Sequence, residues 1–166
     1  MASVLSSALT IDHQLALDPN SVTGRTGPIG GENKQVDRWA NGITSGSADR
    51  GYKRVRVGLG AAATDSYNTL AAGGLLDLDN QAIDLDEIKG FSLRCTDGAI
   101  KLVASAGTPL GLFLAAGDGI AMTAGDAFAF SWGAGGLDVT VNSLFEITET
   151  SGATTADYTL QFHGAQ

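Results

Sequence analysis

The densest run of chemistry-bearing side chains is Asp77-Leu78-Asp79-Asn80 followed by Asp84-Leu85-Asp86-Glu87. Calcium takes about six to eight oxygen ligands, and carboxylates gathered on a loop supply them. Asp77, Asp79, Asp84 and Asp86 are therefore the candidate metal ligands. Their spacing is not that of an EF-hand loop, which needs Asp-x-Asp-x-Asp-Gly and a distal Glu. On an extended strand Asp77 and Asp79 share one face, opposite Leu76 and Leu78. The competing reading is a solvated loop in which Asp84 or Asp86 caps a short helical turn. The pattern favours that second reading, so no metal or other cofactor is expected.

Nucleophilic catalysis needs a base within reach of the nucleophile, and histidine is the usual base. The chain has two histidines, His13 and His163, far apart in sequence. No Gly-x-Ser-x-Gly, His-Glu-x-x-His or Cys-x-x-Cys motif occurs. Gly58-Leu59-Gly60-Ala61-Ala62 matches half of a dinucleotide fingerprint but lacks the helix and acidic partner that the fingerprint requires. The one cysteine, Cys95, is in phase with Phe91 and Leu93 and reads as a small buried hydrophobe. These residues assemble no acid–base or metal set, and the expectation is a protein that is not an enzyme. Glycan binding would draw on exposed Trp39, Trp132, Tyr52 or Tyr67, residue types that more often serve as core or interface anchors.

Charge narrows the partners. The formal net charge of the 166-residue chain is −8, a field that repels nucleic acid and anionic membranes. Its distribution is uneven. Residues 1–56 hold seven basic and five acidic side chains, a balance of +2 that leaves the remainder at −10. In that remainder the cations are Lys89, Arg94 and Lys101. A mildly basic arm on an acidic body is the asymmetry of a docking protein, or a solubilising surface with a polar tail. The first ten residues lack a basic n-region and a sustained apolar core. No apolar run approaches the ~18 residues of a membrane span. A soluble protein made in the cytosol is expected.

The elements that must position these groups follow from periodicity. Residues 1–48 have one sustained apolar stretch, Ile11 to Leu17, then the breaker Asp18-Pro19-Asn20 and a run of Gly and Pro with turn chemistry. Glu32 to Trp39 could form a short helix. This segment reads as an extended N-terminal arm that orders against another chain.

From Lys53 onward the rhythm changes to short alternating runs punctuated by Gly, Asn and Asp. Lys53 to Leu59 alternates, with Val55, Val57 and Leu59 on one face and Arg54 and Arg56 on the other. Further strands are expected at Asn68–Leu70, Gly74–Leu78, Ile88–Cys95, Ile100–Ala104, Leu110–Leu114, Ala121–Thr123, Phe128–Trp132, Val139–Val141, Leu144–Glu149 and Tyr158–His163. Ile83 to Gly90 has room for one or two helical turns at most. Many short strands at roughly 8–12-residue spacing imply an all-β, jelly-roll-like antiparallel sandwich over residues 49–166. Phase places Phe91, Leu93, Cys95, Phe128, Phe130, Phe145, Ile147, Tyr158, Leu160 and Phe162 in its core. Trp132 covers one end.

The order of Lys53-Arg54-Val55-Arg56-Val57, Leu75-Leu76-Asp77-Leu78 and Asp86-Glu87-Ile88-Lys89-Gly90-Phe91-Ser92-Leu93 carries a resemblance. It continues through Asp126-Ala127-Phe128-Ala129-Phe130-Ser131-Trp132, Ser143 to Glu149, and Asp157-Tyr158-Thr159-Leu160-Gln161-Phe162-His163-Gly164. This order resembles small virion proteins of tailed bacteriophages, of the capsid decoration or cement type. The resemblance is one of pattern over roughly 70% of the chain, and it transfers no functional residue. It implies a virion structural role with a jelly-roll-like body that oligomerises, and leaves capsid and tail both open; the expectation is a decoration protein on the capsid surface, bound to the major capsid protein as a homotrimer. Docking would then fall to Ile11, Leu15, Leu17, Arg25 and Trp39 of the arm and to Arg50, Lys53, Arg54 and Arg56. The alternative is a tail or head-fibre module that binds a host receptor or glycan.

Overall fold

The structure, a computed structural model, describes residues 7–14, 32–41, 47–48, 50–77, 81–105, 110–113, 115, 117–132, 135–141 and 143–166. Its strands are β1 (Ser7–Gln14), β2 (Glu32–Asn41), β3 (Ser47–Ala48), β4 (Arg50–Leu59), β5 (Thr64–Asn68) and β6 (Glu87–Asp97). After them come β7 (Ala99–Ala104), β8 (Gly119–Thr123), β9 (Ala127–Ser131), β10 (Leu137–Asp138), β11 (Leu144–Glu149) and β12 (Ala156–Ala165). A 3-10 turn at Ala71–Gly73 is the one helical element among the described residues. The chain divides into two units, Ala8–Arg38 and a body that includes Trp39–Gln166. Within the first unit β1 lies beside β2. The end of β2 belongs to the body, where it runs parallel to β3 with Ala40 opposite Ser47.

The body is built of two antiparallel sheets. One has the order β4-β12-β6, with β9 and the two-residue β10 both on the far edge of β6. The other has the order β5-β11-β7-β8. Setting β10 aside, the pairings are nested: β4 with β12, β5 with β11, β6 with β9, and β7 with β8.

Alternation decides which side chains fill the space between the sheets. Phe91, Leu93 and Cys95 of β6 are buried, as are Tyr158, Leu160 and Phe162 of β12. Facing them are Tyr67 of β5, Phe145 and Ile147 of β11, Ile100 and Leu102 of β7, and Met122 of β8. Phe145 is the hub. Its ring stacks on Tyr67 at 5.1 Å and meets Phe91 and Phe162 of the other sheet edge-on at 5.5 and 6.2 Å. Phe128 and Phe130 also point inward, but on an edge strand they remain half-buried. Phe130 stacks on Phe91 at 4.9 Å and touches Trp132, which caps that end.

Strand β4 departs from its expected phase. Val55 and Val57 are 63% and 70% exposed, while Tyr52, Arg54 and Arg56 are half-buried on the inner side. The cause is a bulge. Tyr158 pairs with Arg56 while Ala156 pairs with Leu59, so Val57 and Gly58 together oppose Asp157. Gly58 adopts φ +68°, which suits glycine, and its N–H donates to Asp157 Oδ1 at 2.7 Å. The extra residue resets the alternation, so Leu59 turns inward although Val55 and Val57 do not.

Other expectations are corrected as well. Glu32 to Trp39 lies in strand β2 and not in a helix. The strand expected at Asn68–Leu70 comes earlier, at Thr64–Asn68. The described part of Gly74–Leu78 makes a single bridge, Leu76 to Ala82. Leu110 does not open a strand; its N–H bonds the Leu144 carbonyl before the chain turns. Near Val139 the strand stops at Asp138, whose carboxylate accepts from both the N–H and hydroxyl of Thr140. Ile83 to Asp86 is extended and not helical, with Ile83 and Leu85 driven into the core and their N–H groups donating to Leu75 and Thr69.

The hub position makes a direct test. Phe145→Ala removes a fully buried ring that joins both sheets, and should cost about 3–5 kcal/mol in denaturant unfolding. Phe145→Leu, which keeps most of the volume, should cost about 1–2 kcal/mol. A negligible loss for Phe145→Leu would show that the ring contacts contribute nothing beyond filled space, and a loss equal to that of Phe145→Ala would show that they carry the whole effect.

Candidate interaction surfaces

The bulge divides the basic segment of β4 between two sides of the sheet. Arg54 and Arg56 reach across to Asp65 on β5, with Arg56 Nε 2.9 Å and Arg54 Nη2 3.7 Å from its Oδ2. Tyr158 donates to that same oxygen at 2.5 Å. Its hydroxyl also lies 2.5 Å from that of Tyr67. With the Tyr158 proton committed to Asp65, Tyr67 is the donor of that pair. The Arg54 guanidinium lies 5.9 Å from the centre of the Tyr67 ring, a cation–π distance. Burial pushes the Tyr67 phenol up to about 12. Burial and the bond to Asp65 raise Tyr158 as well. Both phenols are therefore neutral donors at any ordinary pH.

Arg50 is occupied at the other end of β4, 3.5 Å from Asp77 Oδ2 and 3.2 Å from Gln166 Oε1. Of the four basic candidates on this strand, Lys53 alone points outward into solvent. Arg94 of β6, which the sequence reading left out of the docking set, shares that outer face and is exposed. Ile11 and Trp39 lie on β1 and β2. Leu15, Leu17 and Arg25 fall outside the described residues.

The acidic stretch does not converge. Asp77 is bridged to Arg50 and accepts from the Gln81 N–H at 2.8 Å. Asp84 accepts from the Ala71 N–H at 3.1 Å. Asp86 is exposed, and Asp79 lies outside the described residues. Among the described residues no three His, Cys, Asp or Glu side chains are grouped to hold a metal ion.

A different carboxylate, Glu149, does organise its surroundings. It is 2% exposed. Its two oxygens accept from the N–H groups of Ala62, Ser151 and Gly152 at 2.7, 2.6 and 3.0 Å. The Ser151 side chain, the Ala62 N–H and the other loop donors hold its pKa down to about 2. The β4–β5 turn and the β11–β12 loop are tied together through this one side chain. In sequence it is an ordinary strand-end Glu; the Ser151-Gly152 turn behind it is the only hint.

His163 sits on the outer side of β12 with its ring against Gly90, where a Cβ would lie 2.4 Å from Cε1. Burial lowers its pKa to about 4. The Cys95 thiol is raised by burial and by Asp126. Neither is poised as an acid–base or nucleophilic group at neutral pH. Tyr52 and Tyr67, two of the aromatic candidates for glycan binding, are engaged inside the sandwich, Tyr52 stacking on Phe162 at 4.9 Å. Comparison with protein-family models, characterised proteins and solved structures finds no match to this chain.

Two outcomes follow. The native pKa of Glu149 lies below its unfolded value, so its stabilisation is complete above pH ~4.5 and is lost as pH falls toward ~2. The native pKa of His163 also lies below its unfolded value, so below pH ~6.5 the unfolded state takes up the proton first and stability falls toward pH ~4. The melting temperature should therefore drop in two limbs on acidification. His163→Gln should remove the upper limb and Glu149→Gln the lower; two unaltered curves would refute both assignments.

For the seam, Tyr158→Phe should cost about 1–3 kcal/mol by leaving Asp65 short of a donor. In a double-mutant cycle with Asp65→Asn the two losses should be clearly non-additive. Additive losses would mean that the hydroxyl and the carboxylate act separately.

Proposed function

We propose that this chain is a virion structural protein of a tailed bacteriophage, a decoration protein whose jelly-roll body docks as a homotrimer on the major capsid protein. The observation that carries the reading is the nested pairing of eight strands, β4–β12, β5–β11, β6–β9 and β7–β8. Nesting of this kind is what a long antiparallel hairpin gives when it rolls into two sheets, the jelly-roll arrangement common in viral capsid and lectin domains. That is an analogy at the level of fold. The sequence-pattern resemblance to decoration proteins supports it independently of the strand order.

The chemistry of the body fits a binding role. Its histidine is depressed and its thiol raised, so neither is readied for turnover. The mechanism would be burial of surface against the shell, about 800 Å² per partner for an interface of standard size. The unit Ala8–Arg38 would act as an arm that orders across neighbouring capsid subunits, adding contacts at an entropic cost.

The phage particle tests this reading. In cryo-EM maps the body should occupy a shell-wide lattice of trimers, and deletion of residues 1–38 should leave a cooperatively melting body of low occupancy. Density confined to one vertex or to the tail would replace this reading with the receptor- or glycan-binding alternative. Full occupancy by the truncated protein would remove the arm from the mechanism.

A further inference from the structure

The outer face of the β4-β12-β6-β9 sheet carries side chains that no internal contact explains. Register aligns them in straight rows across four strands. One row is Lys53, Gln161, Ser92 and Ala129; the next is Val55, Thr159, Arg94 and Ala127. The short side chains Ser92, Ala127, Ala129 and Thr159 floor a depression of about 360 Å³, flanked by Arg94 and Gln161. Val55 and Val57 stand beside it on β4, with Val141 the most exposed large aliphatic side chains among the described residues.

The charges on this face differ from those elsewhere. Arg54 and Arg56 are taken by Asp65 and Arg50 by Asp77. Lys89 is buried beside Glu87. Lys101 on the opposite sheet donates to the Gly117 carbonyl. Lys53 and Arg94 have no ion-pair partner among the described residues. At one end stand Asp97, Asp126 and Asp157, and beyond the other end Glu87 and Asp138 pair on the edge of β6. Asp157 is bonded to the Gly58 N–H and Asp126 to Thr123. At the other end lies His163, neutral at pH 7.

We propose that this face is the docking surface, and that its partner is a protein surface presenting carboxylates to Lys53 and Arg94 and small apolar side chains to Val55 and Val57. The proposal rests on the decoration reading above and assigns the side of the body that meets the shell. Charge complementarity selects the partner. A body near −10 outside its basic segment repels an acidic surface from most directions and admits it where two cations stand without acids between them. Two cations on a chain of net charge −8 are too few to hold a phosphate backbone. Spacing fits as well. Two strand separations and two residues of offset put the Lys53 and Arg94 backbones about 12 Å apart, close to the ~13 Å between side chains four residues apart on an extended segment.

The test uses the full chain and capsid shells purified from a phage strain lacking it. The double variant Lys53→Glu/Arg94→Glu should weaken sedimentation binding by about tenfold or more, whereas Lys101→Glu on the opposite sheet should change it less than about twofold. Val55→Thr/Val57→Thr should weaken it without lowering the melting temperature. Because Lys53 and Arg94 are exposed, unchanged melting curves will show that their reversal leaves the fold intact. Undiminished binding by the charge-reversed protein overturns the assignment of this face and leaves the decoration reading standing. If the unaltered chain fails to bind shells, the decoration reading falls, and the face is judged by NMR titration with a hexaglutamate peptide. Amide shifts confined to β4, β12, β6 and β9 around Lys53 and Arg94 support it; shifts spread over the body, or none, overturn it.

Discussion

The hydrogen bond from Tyr158 to Asp65 sets what the rest of the body does with its first long strand. Asp65 of β5 lies between the two sheets and needs donors, and Tyr158 supplies one from β12 of the facing sheet. The remaining acceptor capacity draws Arg56 and Arg54 inward from β4. The alternative phase would bury Val55 and Val57 in their place, a gain of about 1.5–3 kcal/mol for each side chain. That phase would strip Asp65, 18% exposed, of cations that are 31% and 40% exposed, pairs that solvent screens to about 1 kcal/mol or less each. Taken alone, burial of the valines is the larger quantity. The bulge at Gly58 tips the balance, because it lets Leu59 stay in the core while the arginines remain at the seam.

This competition explains where sequence reading succeeded and where it failed. Along the middle of β6, β11 and β12 the apolar residues alternate with polar ones, so phase alone identifies Phe91, Phe145, Tyr158 and their neighbours. On β4 the alternation is just as clean, yet it points the wrong way. A period-2 pattern specifies two faces and does not say which is inner when one face is Val and the other is Arg beside a half-buried carboxylate. The legible clue was Gly58 within the strand pattern, since an isolated strand glycine marks a bulge. The loop from Leu70 to Asp86 was harder to read. Ile83 and Leu85 enter the core from extended chain whose backbone bonds go to Leu75 and Thr69, pairings that no local periodicity encodes. The candidate metal ligands were read from proximity in sequence, and the fold spends Asp77 and Asp84 on separate neighbours.

The acidity of the body has a structural account as well. A fold of short strands has many turns, and each turn leaves backbone N–H groups that need acceptors. Asp77, Asp84, Asp118, Asp126, Asp138 and Asp157 each accept from an N–H in a turn, a loop, a strand end or the β4 bulge. Glu149 accepts from three. An ionised carboxylate is acceptor-only and offers about four lone pairs, which suits it to this work better than a hydroxyl or an amide. Much of the negative charge is thus a consequence of holding loops. It gathers where the loops are, at the ends of the sheets, and leaves the middle of the β4-β12-β6-β9 face to short neutral side chains and two cations.

That placement also bears on how a partner can approach. A sandwich offers partners its edges or its faces, and an open edge invites strand addition. Here the edges are blunted. Strand β4 carries Lys53 and a bulge, and the far edge of β6 is divided between β9 and the two-residue β10. The edges of the second sheet, β5 and β8, are five residues each, too short to template a long pairing. The outer side of that sheet places Lys101 and Glu146 across from each other's strands, with Lys101 held by Gly117 and Glu146 by Ser105. What is left is the outer side of the five-stranded sheet, where Lys53, Val55, Val57 and Arg94 stand exposed, the two cations without an ion pair among the described residues. The seam that pulls Arg54 and Arg56 inward is the same constraint that turns Lys53, Val55 and Val57 outward. The packing at the seam and the surface opposite it are therefore two consequences of one half-buried carboxylate.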